Sequence, residues 1–213
     1  MKKQKKVIIF DLDGTLVDSM GAFADIAAHV MHSYYTIDSQ KARQLYLETS
    51  GLPFHDQLEK LFPENPLNKK AVKAFETRKK NAYFETKAYA DTIETLQALK
   101  QKKLKVVVSS NNFQDLADQY LHKAGIKPDL VLGWKPNFSK GEAHFSYIQE
   151  QLGVGRDEMM FIGDSLHDGE RAQEAGIDFI GKTGTFTSDD FQRHFPRSPT
   201  ITKLSELKRV FST

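Results

Sequence analysis

The sequence predicts an α/β protein in which a parallel β-sheet core is interrupted by an inserted all-helical domain. Short apolar runs rich in β-branched residues alternate with amphipathic segments, and this spacing is typical of βαβ units. Several predicted helices end in a glycine followed by an apolar residue, as helices do before a strand. After the first strand comes a stretch of about 70 residues in which the apolar periodicity is helical.

We assign residues 1–16 and 91–213 to a Rossmann-like core and residues 17–90 to the helical domain. The predicted strands of the core are 7–10, 104–110, 130–132, 159–164 and 178–181. Its predicted helices are 91–102, 113–124, 140–152, 168–175 and 203–211. The inserted domain has predicted helices at 20–35, 39–50, 54–61 and 67–88, and no strand is expected between residues 16 and 90. We expect residues 184–200, which are rich in Gly, Thr, Ser, Asp and Pro, to form a mobile loop with one helical turn.

Composition excludes several classes of function. The 30 basic and 28 acidic residues leave a formal charge of +2, which gives no strong field for nucleic acid or a membrane surface. Without cysteine, the chain has no disulfide, no thiolate chemistry and no cysteine-ligated metal. No apolar run reaches the roughly 18 residues of a membrane span, and the four apolar residues before Asp11 are too few for a signal peptide. We therefore expect a cytoplasmic protein.

Polar side chains collect where the predicted strands end. The buried first strand stops at Asp11 and Asp13, the second strand at Ser110, and the strand 159–164 at Asp164. In an open parallel sheet, ligands bind outside the carboxyl ends of the strands. Acids placed directly after buried strands do not stabilise the sheet, so the sequence predicts a functional site at this edge.

Four segments resemble the motifs of the haloacid dehalogenase (HAD) superfamily in order and approximate spacing. They are Asp-Leu-Asp-Gly-Thr at 11–15, the serines after the second strand, a lysine, and Gly-Asp-Ser-Leu-His-Asp at 163–168. The helical insert directly after the first strand is similar to the C1-type cap domain of this family. The resemblance therefore covers the whole chain as a core plus a cap.

The resemblance implies a phosphatase, similar to phosphoglycolate phosphatases, that hydrolyses a small phosphorylated metabolite. Asp11 would be the nucleophile that forms an aspartyl-phosphate, and Asp13 would move protons to the leaving group and from water. The implied phosphate-binding residues are Ser110, Asn111 and Lys140. The implied metal ligands are Asp11, the backbone carbonyl of Asp13, Asp164 and Asp168. Because all of these ligands are oxygens, Mg²⁺ is the expected cofactor.

Some assignments stay open at this point. Ser109 could replace Ser110, although Asn111 after Ser110 matches the usual Ser/Thr-Asn ending of the motif. Lys135 competes with Lys140, and the interval of about 24 residues before Asp164 favours Lys140. Within the cap, His55 and Arg78 are candidates for contact with the substrate.

Two other functions compete with the phosphatase. A sugar-phosphate mutase of the β-phosphoglucomutase type would have a histidine shortly after the first motif and an arginine in the cap turn, where this chain has Met20-Gly21-Ala22-Phe23 and Phe54-His55. The second alternative is a protein that binds phosphate or a partner without turnover, against which the intact acids and lysine argue. A dehalogenase is disfavoured because it has no use for Asp13, and a receiver domain does not carry the large insert. A phosphonatase would need a cap lysine, and since the insert contains several lysines this alternative stays open.

Overall fold

The computed structural model describes residues 4–211 and contains a six-stranded parallel sheet in the order β5-β4-β1-β6-β7-β8. Its strands are β1 (Val7–Phe10), β4 (Lys105–Phe113), β5 (Leu130–Trp134), β6 (Met159–Gly163), β7 (Asp178–Lys182) and β8 (Thr200–Ile201). Two further short strands, β2 (Val17–Asp18) and β3 (Lys87–Ala88), pair with each other. The α/β, HAD-like fold predicted from the sequence is confirmed.

The chain divides into two compact units, Met1–Val17 with Ala88–Thr213, and Asp18–Lys87. The helices of the first unit are α5 (Thr92–Gln101), α6 (Gln114–Lys123), α7 (Glu142–Leu152), α8 (Leu166–Glu174), α9 (Ser188–His194) and α10 (Leu207–Val210). Short 3₁₀ helices occur at Arg156–Glu158 and Leu204–Glu206. The helices of the second unit are α1 (Met20–Tyr35), α2 (Ser39–Glu48), α3 (Phe54–Leu61) and α4 (Asn68–Tyr83).

The core of the α/β unit lies against both faces of the sheet. All four residues of β1 are fully buried, as expected of a central strand in a parallel sheet. On one face Ile9 is in register with Val107 and Phe161, and these belong to a cluster that includes Phe145 of α7 and Phe191 of α9. A strand buried on both faces leaves only its ends for polar chemistry, and this places the site at the carboxyl edge.

The helical unit has an aromatic core of its own. The rings of Phe54 and Phe75 stack with their centroids 4.0 Å apart, and Tyr46 lies against both of them. Phe23 of α1 stacks on Tyr83 at the end of α4. These contacts join α1, α2, α3 and α4, so the unit buries a core without using a sheet. Among residues 4–211, no helix combines the length and the apolar character needed to cross a membrane.

Four predictions of local structure differ from the structure. Residues 184–200 are not a loop with one turn, because Thr187 forms a capping box with Asp190 and starts α9. The predicted helix 67–88 ends at Tyr83, and the two-residue strand β3 follows it. With its partner β2, this strand lies in the segment for which no strand was expected. The structure also extends the strand predicted at 104–110 to Phe113.

Candidate active site

Register between the central strands brings the predicted site residues to one edge of the sheet. Phe10, the last residue of β1, pairs with Val108 of β4 on one side and with Ile162 of β6 on the other. The residues that follow these three positions are therefore level with one another: Asp11 after β1, Ser109 and Ser110 on β4, and Gly163 and Asp164 at the end of β6. The strand order changes direction at β1, which is where open α/β sheets bind ligands.

Three buried carboxylates and one buried ammonium form the centre of this edge. Oxygens of Asp11, Asp164 and Asp168 all lie within 4.8 Å of one another, and none of the three residues is more than 4% exposed. The Nζ of Lys140 donates a hydrogen bond to Asp11 Oδ1 at 2.6 Å and lies 2.8 Å from Asp168 Oδ1. Lys140 is separated from Asp11 by 129 positions in the sequence, so the fold creates this cluster.

Burial dominates the electrostatics of the cluster. It raises the pKa of Asp11 well above its usual value, against the opposing charge of Lys140. Burial and the neighbouring Asp168 raise the pKa of Asp164 to about 7. For Asp168 burial is outweighed, because Lys140 and Arg171 hold its pKa below the usual range. Burial also opposes the charge on Lys140, but Asp11 and Asp168 more than compensate and raise its pKa. Asp11 and Asp164 therefore lack enough positive charge nearby.

This donor set fits a hard divalent cation. The three carboxylates supply oxygen ligands only, and such a set suits Mg²⁺ or Ca²⁺ better than Zn²⁺. Burial disfavours the charged forms of Asp11 and Asp164 and so raises their pKa values. A cation among the carboxylates would stabilise those charged forms. The three carboxylates expected to bind metal are thus brought together, and the cluster could hold a metal ion.

Asp13 lies in a tight turn, close enough to Asp11 to add to the rise that burial causes in the pKa of that carboxyl group. Gly14, the next residue, has a φ of 76°, which favours glycine, and its N–H donates to the carbonyl of Val17 at 2.8 Å. The amide of Asn112 donates a hydrogen bond to Asp13 Oδ2 at 2.5 Å. Asp13 is half-buried, and the hydrogen bond from Asn112 orients its carboxyl group.

The two serines of β4 have different surroundings. The Oγ of Ser109 is 2.8 Å from His144 Nδ1 in a fully buried pair, so this hydroxyl is engaged inside the protein. The Oγ of Ser110 accepts a hydrogen bond from the backbone N–H of Asn112 at 3.1 Å. Its hydroxyl hydrogen can still be donated, which leaves Ser110 as the better candidate for contact with a phosphoryl oxygen. Asn111 is half-buried beside it.

The alternative lysine, Lys135, does not join the cluster. It is exposed, and its backbone pairs with Phe138 in a short bridge before Lys140. Lys140 is 7% exposed and precedes α7, which starts at Glu142. The structure therefore brings Lys140 and not Lys135 to the carboxylates.

The structure adds residues that the sequence did not single out. The hydroxyl of Thr185 donates a hydrogen bond to Asp164 Oδ2, and that of Thr15 donates to Asp164 Oδ1 at 3.4 Å. The guanidinium of Arg171 is 3.7 Å from Asp168 Oδ1. Thr185 lies in the segment predicted to be mobile, and only its position shortly after the end of β7 could have drawn attention to it.

The two candidates in the helical unit are both at its surface. His55, in the first turn of α3, is exposed and its Nδ1 lies 3.1 Å from Asp56 Oδ1. Arg78 of α4 is exposed. Lys79, the next residue after Arg78, has its Nζ 4.8 Å from the centroid of the Phe23 ring.

Comparison with known proteins identifies the family. The sequence model of the haloacid dehalogenase-like hydrolases matches residues 8–182. A phosphoglycolate phosphatase of Aquifex aeolicus is 29% identical over 188 residues, which cover 80% of this chain and 81% of that protein. A pyrophosphatase of Halalkalibacterium halodurans is 24% identical over 211 residues, 94% of each chain. A haloacid dehalogenase-like hydrolase from Streptococcus pneumoniae has a similar fold, with a TM-score of 0.83, 20% identity and coverage of 98% of this chain and 99% of that one.

The chain therefore belongs to the haloacid dehalogenase-like hydrolase family, as its motifs predicted. The matched segment begins within β1 and ends at Lys182, so it includes every residue of the carboxylate cluster.

Proposed function

We propose that this protein is a Mg²⁺-dependent phosphatase that hydrolyses a small phosphorylated metabolite through an aspartyl-phosphate on Asp11. The observation that carries the proposal is the buried ion pair between Asp11 and Lys140, placed among Asp164 and Asp168 at the carboxyl edge of the sheet. The phosphatase names of two relatives that cover most of the chain agree with it.

Asp11 is the nucleophile in this proposal. Attack on phosphorus requires an ionised carboxylate that is free to approach a dianionic ester, and phosphoryl transfer is mostly positioning and charge neutralisation. Lys140 holds Oδ1 of Asp11 at 2.6 Å and so orients the carboxylate while it neutralises phosphoryl oxygens. Ser110 and Asn111 donate hydrogen bonds to those oxygens. Mg²⁺, held by Asp11, the carbonyl of Asp13, Asp164 and Asp168, would supply the remaining positive charge.

Asp13 moves the proton. Its half-buried carboxyl group protonates the leaving oxygen when Asp11 attacks, and it later accepts a proton from the water that hydrolyses the aspartyl-phosphate. Asn112 keeps this carboxyl group in place through the 2.5 Å hydrogen bond to Oδ2. A dehalogenase has no step that needs such a group, so the presence of Asp13 favours a phosphatase over a dehalogenase.

The helical unit Asp18–Lys87 is proposed to act as the cap that selects the substrate, with His55 and Arg78 as contacts. The names of the relatives suggest two substrate classes to test first, a phosphate monoester of a small acid and pyrophosphate.

The test is release of inorganic phosphate, first from p-nitrophenyl phosphate and then from a panel of phosphorylated metabolites and pyrophosphate. We expect turnover with Mg²⁺, none with excess EDTA, and a loss of roughly a thousandfold or more in Asp11→Asn. Asp115→Asn, which alters an exposed carboxylate of α6, is the matched control and should retain full activity. Full activity in Asp11→Asn or in EDTA would contradict the proposal, and interconversion of sugar phosphates without release would favour a mutase.

A further inference from the structure

Lys182, the last residue of β7, is a buried lysine near the proposed site that has no role in the mechanism above. Gly181 pairs with Gly163 of β6, so Lys182 is level with Asp164 at the carboxyl edge of the sheet. The residue is only 3% exposed. Lysine is almost never buried to this extent without partners, because removing an ammonium group from water is unfavourable. An apolar side chain would serve the stability of the strand better.

Lys182 contacts the turn that carries Asp13, and its charge also favours the ionised form of Asp164. Its Nζ donates a hydrogen bond to the carbonyl of Gly14 at 3.1 Å, across 168 positions of sequence. The same Nζ lies 3.8 Å from the centroid of the Tyr89 ring, which is the geometry of a close cation–π contact. The backbone N–H of Tyr89 in turn donates to the carbonyl of Leu16 at 3.1 Å. Lys182 therefore contacts both the turn and the ring of Tyr89, and the backbone of Tyr89 is itself hydrogen-bonded to the turn.

The rest of the turn is closed by its own backbone. The N–H of Gly14 donates to Val17, and the N–H groups of Leu16 and Val17 both donate to the carbonyl of Leu12. The carbonyls of Leu16 and Gly14 accept hydrogen bonds from other parts of the chain, Leu16 from Tyr89 and Gly14 from Lys182. Since Gly14 directly follows Asp13, a shift of the Gly14 carbonyl would move the Asp13 carboxyl group as well.

We propose that Lys182 is a positioning residue that holds the Gly14 turn against Tyr89 and so places Asp13 for protonation of the leaving group. This inference rests on the proposed phosphatase function and adds a residue to it. A positional error of about 1 Å in a reacting group can cost about a hundredfold in rate. The effect should be largest where the reaction depends on Asp13.

Leaving groups that differ in basicity provide the test. An alkyl phosphate needs a proton from Asp13 as its bond to phosphorus breaks, whereas p-nitrophenolate leaves without one. We compare kcat/KM, which reports the step that phosphorylates Asp11, for β-glycerol phosphate and p-nitrophenyl phosphate at saturating Mg²⁺. Lys182→Met should lower kcat/KM for the alkyl substrate about 10- to 100-fold and that for the aryl substrate less than about threefold. Lys182→Arg, which keeps a cationic donor, should recover most of the loss.

Two further variants test whether the effect of Lys182→Met is specific. Tyr89→Leu removes the ring and should give the same substrate dependence with a smaller amplitude, which tests the inference even if Lys182→Met folds poorly. Lys100→Met is the matched control, because Lys100 also donates to a backbone carbonyl, that of Lys127, but on the surface. It should match the wild type.

Asp13→Asn separates the two proposals. If it selectively loses the alkyl substrate while Lys182→Met does not, the role of Lys182 is wrong and the phosphatase mechanism stands. If Asp13→Asn itself has no substrate dependence, the proposed role of Asp13 fails first. Equal losses for both substrates in Lys182→Met and Tyr89→Leu would also overturn the inference, since they would indicate a general structural defect.

Discussion

The buried imidazole of His144 predicts that the protein loses stability as the pH falls below neutrality. His144 is fully buried in α7, with Nδ1 2.8 Å from Ser109 Oγ and its ring centroid 4.6 Å from that of Phe138. Burial lowers its pKa from 6.5 to about 4, and the positive charges of Lys140 and Arg171 act in the same direction. The folded protein therefore keeps this ring neutral at a pH where the unfolded chain would protonate it.

The sign and size of the effect follow from this difference in pKa. Above pH 6.5 the ring is neutral in both states and contributes nothing to the pH dependence. Between 6.5 and about 4 the unfolded chain binds a proton that the folded protein does not, so the free energy of unfolding falls as the pH falls. One pKa unit corresponds to about 1.4 kcal/mol, so the full loss is on the order of 3 kcal/mol.

Urea unfolding of the wild type and of His144→Asn at a series of pH values measures this contribution. Asparagine keeps a polar atom near the position of Nδ1 but does not titrate. Between about pH 7 and about pH 4.5 the variant should gain about 2 kcal/mol or more relative to the wild type. His122→Asn, the same substitution at an exposed position of α6, is the matched control. A difference for His144→Asn that stays constant with pH would contradict the prediction, since the ring would then titrate alike in both states.

Two further predictions concern the site itself. Lys140→Met removes the partner of Asp11 and should lower kcat for phosphate release by about a hundredfold or more, whereas Lys135→Met, at an exposed position, should stay within about twofold of the wild type. A larger loss of phosphate release in Lys135→Met than in Lys140→Met would contradict the choice of Lys140. Gly163→Ala would put a Cβ 2.5 Å from Asp168 Oδ2 and displace that carboxylate, so the Mg²⁺ concentration for half-maximal activity should rise about tenfold or more. An unchanged Mg²⁺ titration would mean that Asp168 does not help to bind the metal.

The elements that a sequence predicts well are those with strong local signals. The strand Val7–Phe10 and the helices Met20–Tyr35 and Phe54–Leu61 have the predicted bounds, since apolar runs and a preceding proline or polar cap mark their ends. The strands β2 and β3 were missed because two residues carry no periodicity and each exists only by pairing with the other. Helix α9 was missed because its composition resembles a loop, although Thr187 and Asp190 carry the capping-box pattern.

The residues of the candidate site also differ in how well the sequence predicts them. Asp11, Asp13 and Asp164 could be found from the sequence because acids directly after buried strands are unusual. The order of the four motifs then indicated the family, and the match of the family model to residues 8–182 confirms it. Contacts such as that between Lys182 and Gly14 join residues 168 positions apart. A lysine after an apolar run has no local feature that separates it from a solvated one, so only the fold reveals this contact.

The same limit applies to the choice between neighbouring residues. Ser109 and Ser110 have equivalent positions in the sequence, and the structure separates them because His144, from a different helix, engages Ser109. Lys135 and Lys140 are separated by their burial. In both cases the deciding partner is distant in the chain and depends on packing.

The central claim is that Asp11 carries the phosphoryl group, and the most direct measurement is its detection after rapid acid quenching. Wild-type protein and Asp13→Asn are mixed with Mg²⁺ and substrate, quenched, digested and analysed by mass spectrometry. We expect one phosphoryl group on the peptide that contains Asp11, and hydroxylamine should remove it as it removes an acyl phosphate. The phosphoryl group should be enriched in Asp13→Asn when its removal is slowed more than its transfer. A phosphoryl group on another residue, or phosphate release with no labelled protein in either form, would contradict it.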